Sequence, residues 1–154
     1  MEKLLRYLSP KSVNLEAMPS GGMPLFTTVD ACLTLSYAKL TPVQNKLLQC
    51  YVLQQNNIEQ LQYSALFIHS VYVSLKQADQ NPDHALAIYI ALVEVCAVSA
   101  DYKPSERNRA VIGGVSRMQF QRKLGVLVTR FKDNLIEELE IIENKIEYQM
   151  NKKY

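Results

Sequence analysis

SERNRAVIGGVSRMQFQRKLGVLVTRF, residues 105–131, decides how this chain is read. Helical stretches flank Gly113-Gly114, and the positions around that pair each meet a separate physical requirement. Two short helices crossing steeply want a small residue where they touch, which Ala110 supplies. Four residues later the turn wants a positive φ, a conformation open to Gly114 because it has no Cβ. Val115 is the apolar residue of the turn, and Ser116 can accept from the open amides of the next helix. Phe120 and Leu124 then face the core, with Val128 and Phe131 continuing the stripe. The spacing predicts a helix-turn-helix over residues 104–131. It departs from the usual pattern at Gly113, where an apolar residue normally precedes the turn glycine, and at Arg109, where an aliphatic one does. Gly125 is expected to bend or shorten the second helix.

The apolar stripe leaves Arg117, Gln119, Gln121, Arg122 and Lys123 outward, with Arg107 and Arg109 on the preceding helix and Arg130 further along. Arginine can bond both acceptors of a guanine edge, glutamine can bond an adenine edge, and lysine neutralises phosphate. These eight residues are the candidate contacts to double-stranded DNA. An ordinary helical hairpin with a solvated basic face is the plainer reading of the same residues.

Charge sorts into two blocks on either side of residue 132. Residues 103–132 hold eight bases against Glu106, a net of +7, whereas residues 133–147 hold six acids against Lys145, a net of −5. The whole chain carries only +2. A basic block is an electrostatic footprint for nucleic acid, and an acidic helix beside it suits a protein surface or water. Leu135, Leu139, Ile142 and Ile146 give the acidic segment an apolar stripe, to be packed on the N-terminal helices or on a second copy.

Upstream, the same logic places five further helices. Residues 2–8 can form a short helix ended by Ser9-Pro10, and residues 11–24 have the serine, glycine and proline content of a linker. A helix capped by Thr27 or Thr28 should reach about Leu40 with Val29, Cys32, Leu33, Ser36, Tyr37 and Leu40 on its inner face. Thr41-Pro42 starts another, with Leu47, Leu48, Tyr51 and Val52 inside. Residues 58–78 are apolar over more than one stripe, which suggests a central helix. Asp83 is the expected cap of a helix carrying Leu86, Tyr89, Ile90, Val93 and Ala97. The resulting expectation is an all-α, single-domain helical bundle with a long terminal helix, residues 1–26 forming a short helix and loop and residues 27–154 the helical domain.

At 154 residues and 48% apolar content, such a chain can bury a proper core. Cys32, Cys50 and Cys96 are an odd number, widely spaced in apolar stretches, and read as reduced core thiols rather than a disulfide framework or zinc knuckle. No run of about 18 apolar residues exists to cross a membrane, so a cytoplasmic location is expected. His69 and His84 stand apart from any ligand spacing, and no phosphate loop, nucleophile elbow or HExxH motif occurs. No enzyme, metal or cofactor is implied.

Leu4-Leu5-Arg6-Tyr7-Leu8-Ser9-Pro10-Lys11-Ser12, followed by a loop and a helix near Asp30, resembles the opening of the late-gene antitermination proteins Q of lambdoid phages. The likeness extends to the C-terminal region, where those proteins carry their DNA-binding function, and covers about a third of the chain. This sequence lacks the paired CxxC motifs of the lambda-type zinc module, so it is similar to a short, zinc-free form. The resemblance implies a factor in the bacterial host cell that binds a DNA element at the late promoter. It further implies loading onto paused RNA polymerase holoenzyme and suppression of pausing and termination at the RNA exit channel, with nascent RNA and a second protomer on DNA as further partners. An ordinary helix-turn-helix regulator without polymerase loading is the alternative. A helical adaptor that binds only proteins is the third possibility.

Overall fold

Five helices of the computed structural model, which describes residues 28–53, 55–99 and 101–152, begin where a side chain or a proline resolves the shortage of partners at the first turn. The expected helix at residues 2–8, the linker, and the boundary at residue 26 lie outside the described residues. The helices are α1 (Thr28–Tyr37), α2 (Pro42–Tyr51), α3 (Ile58–Ser74), α4 (Pro82–Cys96), α5 (Glu106–Gly113), α6 (Arg117–Gln119) and α7 (Gly125–Asn151). A π-helical turn, Phe120–Leu124, joins α6 to α7. The described residues form no strand, in line with the all-α reading.

Thr41 and Gln44 form a reciprocal capping box at α2, Thr41 Oγ1 accepting from the Gln44 amide at 3.2 Å and Gln44 Oε1 from the Thr41 amide at 3.1 Å. Asn57 accepts from the Gln60 amide at 2.8 Å to start α3. At α4 the cap is Asn81 rather than the expected Asp83: Asn81 Oδ1 accepts from the Asp83 amide at 2.9 Å. Pro82 explains the difference, because proline fits the first helical position and so assigns the cap to the residue before it.

The centre of the fold belongs to α4, where Ala87, Ile88, Ile90, Ala91 and Leu92 have no exposed surface. It packs most extensively on α7 and next on α3. The expectation of a central helix at residues 58–78 is therefore corrected. One stripe of α3 (Leu61, Ala65, Ile68 and Tyr72) is buried and Phe67 and Val71 are half-buried beside it, but Ile58, Tyr63 and Leu66 are exposed. Leu75 is also exposed, because the helix has already ended at Ser74.

The inner face of α1 is corrected as well. Leu33, Tyr37 and Cys32 face solvent, and Thr34 and Ala38, one turn apart, are buried where α1 meets α7. Apolar residues lie on both sides of this helix, so their spacing did not identify the side with small residues that lets the backbones approach. On α7 the stripe Leu135, Leu139, Ile142 and Ile146 is buried, and the helix lies against α1, α2 and α4 of the same chain. Gln44 strengthens that contact by donating to Glu138 at 2.7 Å and accepting from Lys145 Nζ at 2.9 Å.

Candidate nucleic-acid interface

Ser105 starts α5 by accepting from the Asn108 amide at 3.1 Å, and the helix ends at Gly114 with φ of +64°. The Val115 amide returns to the Ala110 carbonyl at 3.0 Å, closing the helix end. Ser116 then caps α6 through the Gln119 amide at 3.2 Å. Ala110 is buried as expected, and Val115 is half-buried. A Cβ on Gly113 would stand 2.8 Å from Ile90 Cδ1, so this glycine lets α5 rest directly on the central helix. That contact accounts for glycine where an apolar side chain was expected.

Phe120, Leu124, Val128 and Phe131 all lie in the core. The Gly125 amide bonds back to the Phe120 carbonyl, which makes residues 120–124 a π turn, wider than an α turn. Gly125 neither ends nor shortens the helix; the chain passes through it into α7. Gln119, Gln121, Arg122 and Lys123 are exposed, the last three on the π turn itself. Arg107 is exposed on α5, and Arg117 at the start of α6 gives both Nε and Nη2 to Glu106 Oε2 at 3.3 Å. Arg130 is exposed but directed back across α3's end, donating to the Gln77 carbonyl and lying over the Phe131 ring.

Arg109 stands elsewhere than its expected place among the phosphate contacts. Its Nε and Nη2 donate to the two oxygens of Glu94 at 2.7 and 3.0 Å. Lys132 adds a bond to Glu94 Oε2 at 3.0 Å and the Tyr102 hydroxyl one to Oε1 at 2.8 Å. The Glu94 side chain has no exposed surface. Burial alone would raise its carboxyl, but the bonds from Arg109, Lys132 and Tyr102 outweigh burial and hold it at about 2. Burial, and then its bond to Glu94, push the Tyr102 hydroxyl up to about 12.

This cluster was not foreseen, although a lone acid inside the apolar run IALVEVCAV of residues 90–98 signals a buried partner. Its effect on the interface is direct. Two of the eight bases of residues 103–132, Arg109 and Lys132, neutralise an interior acid. Lys103, Arg107, Arg117, Arg122, Lys123 and Arg130 remain on the surface with Glu106 among them. Met118 and Val126 add exposed apolar surface to the same segment.

Elsewhere, His69 Nε2 meets the Asp79 carbonyl at 2.8 Å, and His84 Nδ1 accepts from the Asp79 amide at 3.1 Å, so both histidines hold the α3–α4 turn. Cys50 is buried, Cys96 is half-buried with burial raising its thiol to about 12, and Cys32 is exposed, a correction to its expected core position. Among the described residues no group of three metal-ligating side chains gathers, and no helix is long and apolar enough to cross a membrane. No known family model, curated protein or solved structure matches the chain.

Proposed function

We propose that this protein is a phage transcription antitermination factor: it binds a DNA element at a late promoter through a helix-turn-helix, loads onto paused RNA polymerase and suppresses pausing and termination. The observation that carries the DNA-binding part is the run from Gly114 to Lys123. A left-handed glycine and a capping serine set the start of a helix whose buried side is Phe120 and Leu124, and whose exposed side presents Arg117, Gln119, Gln121, Arg122 and Lys123. Arginine and glutamine side chains at the start of such a helix have the donors that base edges require. Arg107 and Lys103 on the approach to the turn suit backbone phosphates. The polymerase-dependent part rests on the resemblance of residues 4–12 to Q proteins. The protein acts by binding, and neither a metal nor a cofactor enters the proposal.

Transcription in vitro past a strong terminator tests the whole reading, with and without the protein and with and without a late-promoter element on the template. Readthrough confined to templates bearing the element supports antitermination. Altered initiation with no readthrough assigns the protein to the simpler class of helix-turn-helix regulators, for which the same Gly114–Lys123 geometry suffices. No effect on either, together with no shift of DNA mobility, overturns DNA binding and leaves a protein-binding adaptor.

A further inference from the structure

Opposite its buried stripe, α7 presents Val126, Asp133, Glu137, Glu140, Ile141 and Tyr148 to solvent, and the π turn carries Arg122 and Lys123 outward at the basic end. Val126 is 82% exposed and Tyr148 60%, so the charges share this side with large apolar groups. Among the described residues, no salt bridge engages Arg122, Lys123, Asp133, Glu137, Glu140 or Glu147. Nor can the two ends of the helical path neutralise each other within one chain. At about 1.5 Å per residue, Lys123 and Glu140 stand roughly 25 Å apart, well beyond the screening distance of about 8 Å at physiological salt.

We propose that this side is the contact surface for a second copy of the chain, laid antiparallel. A two-fold axis across the helix exchanges its ends, so the basic end of each copy meets the acidic end of the other and every unlike contact occurs twice. A parallel arrangement would set like charge on like. The exposed apolar residues choose the register: an axis beside residues 133 and 134 brings Val126 of each copy opposite Ile141 of the other, removing both from water. Lys123 then lies opposite Asn144, one turn from both Glu140 and Glu147, with Arg122 beside it, and Glu137 lies opposite Arg130. Asp133 is brought against its own kind at the axis. A pair so formed covers Arg122 and Lys123, and it rests on the DNA reading for one consequence alone, that DNA competes with it.

Sedimentation equilibrium of the full chain without DNA, across the micromolar range and at low and high salt, tests this. The expected parent is a dimer that dissociates as salt rises. Lys123→Glu and Glu140→Lys should each raise the dissociation constant about tenfold or more, whereas the double variant should recover most of that loss, because the unlike contact re-forms with its signs exchanged. Asp133→Asn should tighten the dimer, since it removes the like contact at the axis. All three positions are exposed, so the variants should melt as the parent does. A parent that stays monomeric at low salt overturns the proposal. So does a dimer indifferent to the single reversals, or a double variant as weak as either of them. A dimer that never shifts DNA mobility supports the pairing and overturns the DNA reading; a monomer that shifts it does the reverse.

Discussion

Glu94 and Gly114 show how two residues can place a whole surface. A Cβ on Gly114 would meet nothing within 4 Å, so Gly114→Ala tests the backbone alone. At a φ of +64° the substitution should cost about 1 kcal/mol, read from chemical unfolding, with no change in packing. Glu94 acts through charge. Its ordinary value of 4.5 is lowered to about 2 in the folded chain, so its contribution is complete above about pH 4.5 and is lost as pH falls towards 2. A shift of that size corresponds to about 3 kcal/mol. Glu94→Gln should lower stability at neutral pH by roughly that amount, because Arg109 and Lys132 are left facing a neutral group, and should flatten the acid limb of the stability curve. An acid limb as steep in the variant as in the parent would remove Glu94 from this role. Arg122→Ala should leave stability unchanged and weaken binding to the cognate DNA by about 1–3 kcal/mol if it reads a base; equal loss on random DNA would assign it to phosphate.

At the scale of elements, the sequence was most legible where one requirement dominated. Thr41-Pro42, Gly114 and Ser116 each have a local reason to start or stop a helix, and each does so. The buried stripe from Phe120 to Ile146 was equally readable, because its steps of three and four leave polar residues opposite. Legibility failed where both sides of a helix were apolar. Leu33 and Tyr37 in α1, and Leu66 in α3, look like core residues in sequence, and only the placement of neighbouring helices decides that they are exposed. The π turn was hidden for a different reason: Gly125 signals a weak point in a helix, but not that the chain will widen one turn and continue. Arg109 was misplaced because its partner, Glu94, lies on another helix, and nothing local to residues 105–131 announces that pairing.

Across the whole molecule, separated charges make binding depend on salt and on orientation. If Lys103, Arg107, Arg122 and Lys123 touch phosphates, each should contribute about −0.9 to the slope of log affinity against log salt, and Arg109 should contribute nothing. A flat salt dependence would dismiss this surface as the DNA contact. Asp133, Glu137, Glu140 and Glu147 are exposed, so phosphate should repel that end of the molecule. Reversing Glu137, Glu140 and Glu147 to Lys should leave the melting temperature nearly unchanged, since exposed pairs contribute little. Lower readthrough with DNA affinity preserved or strengthened would locate a polymerase or second-protomer contact on that face; unchanged readthrough would make it merely solvated.

One consequence follows from the uninterrupted path of residues 117–151 through α6, the π turn and α7. At about 1.5 Å per residue this is a rod roughly 50 Å long, with Arg117 and Arg122 near one tip and Glu147 near the other. A packed helical run of this length behaves as a lever. Whatever grips the acidic tip dictates the tilt of the basic tip, and a few degrees of rotation at one end become a displacement of several ångströms at the other.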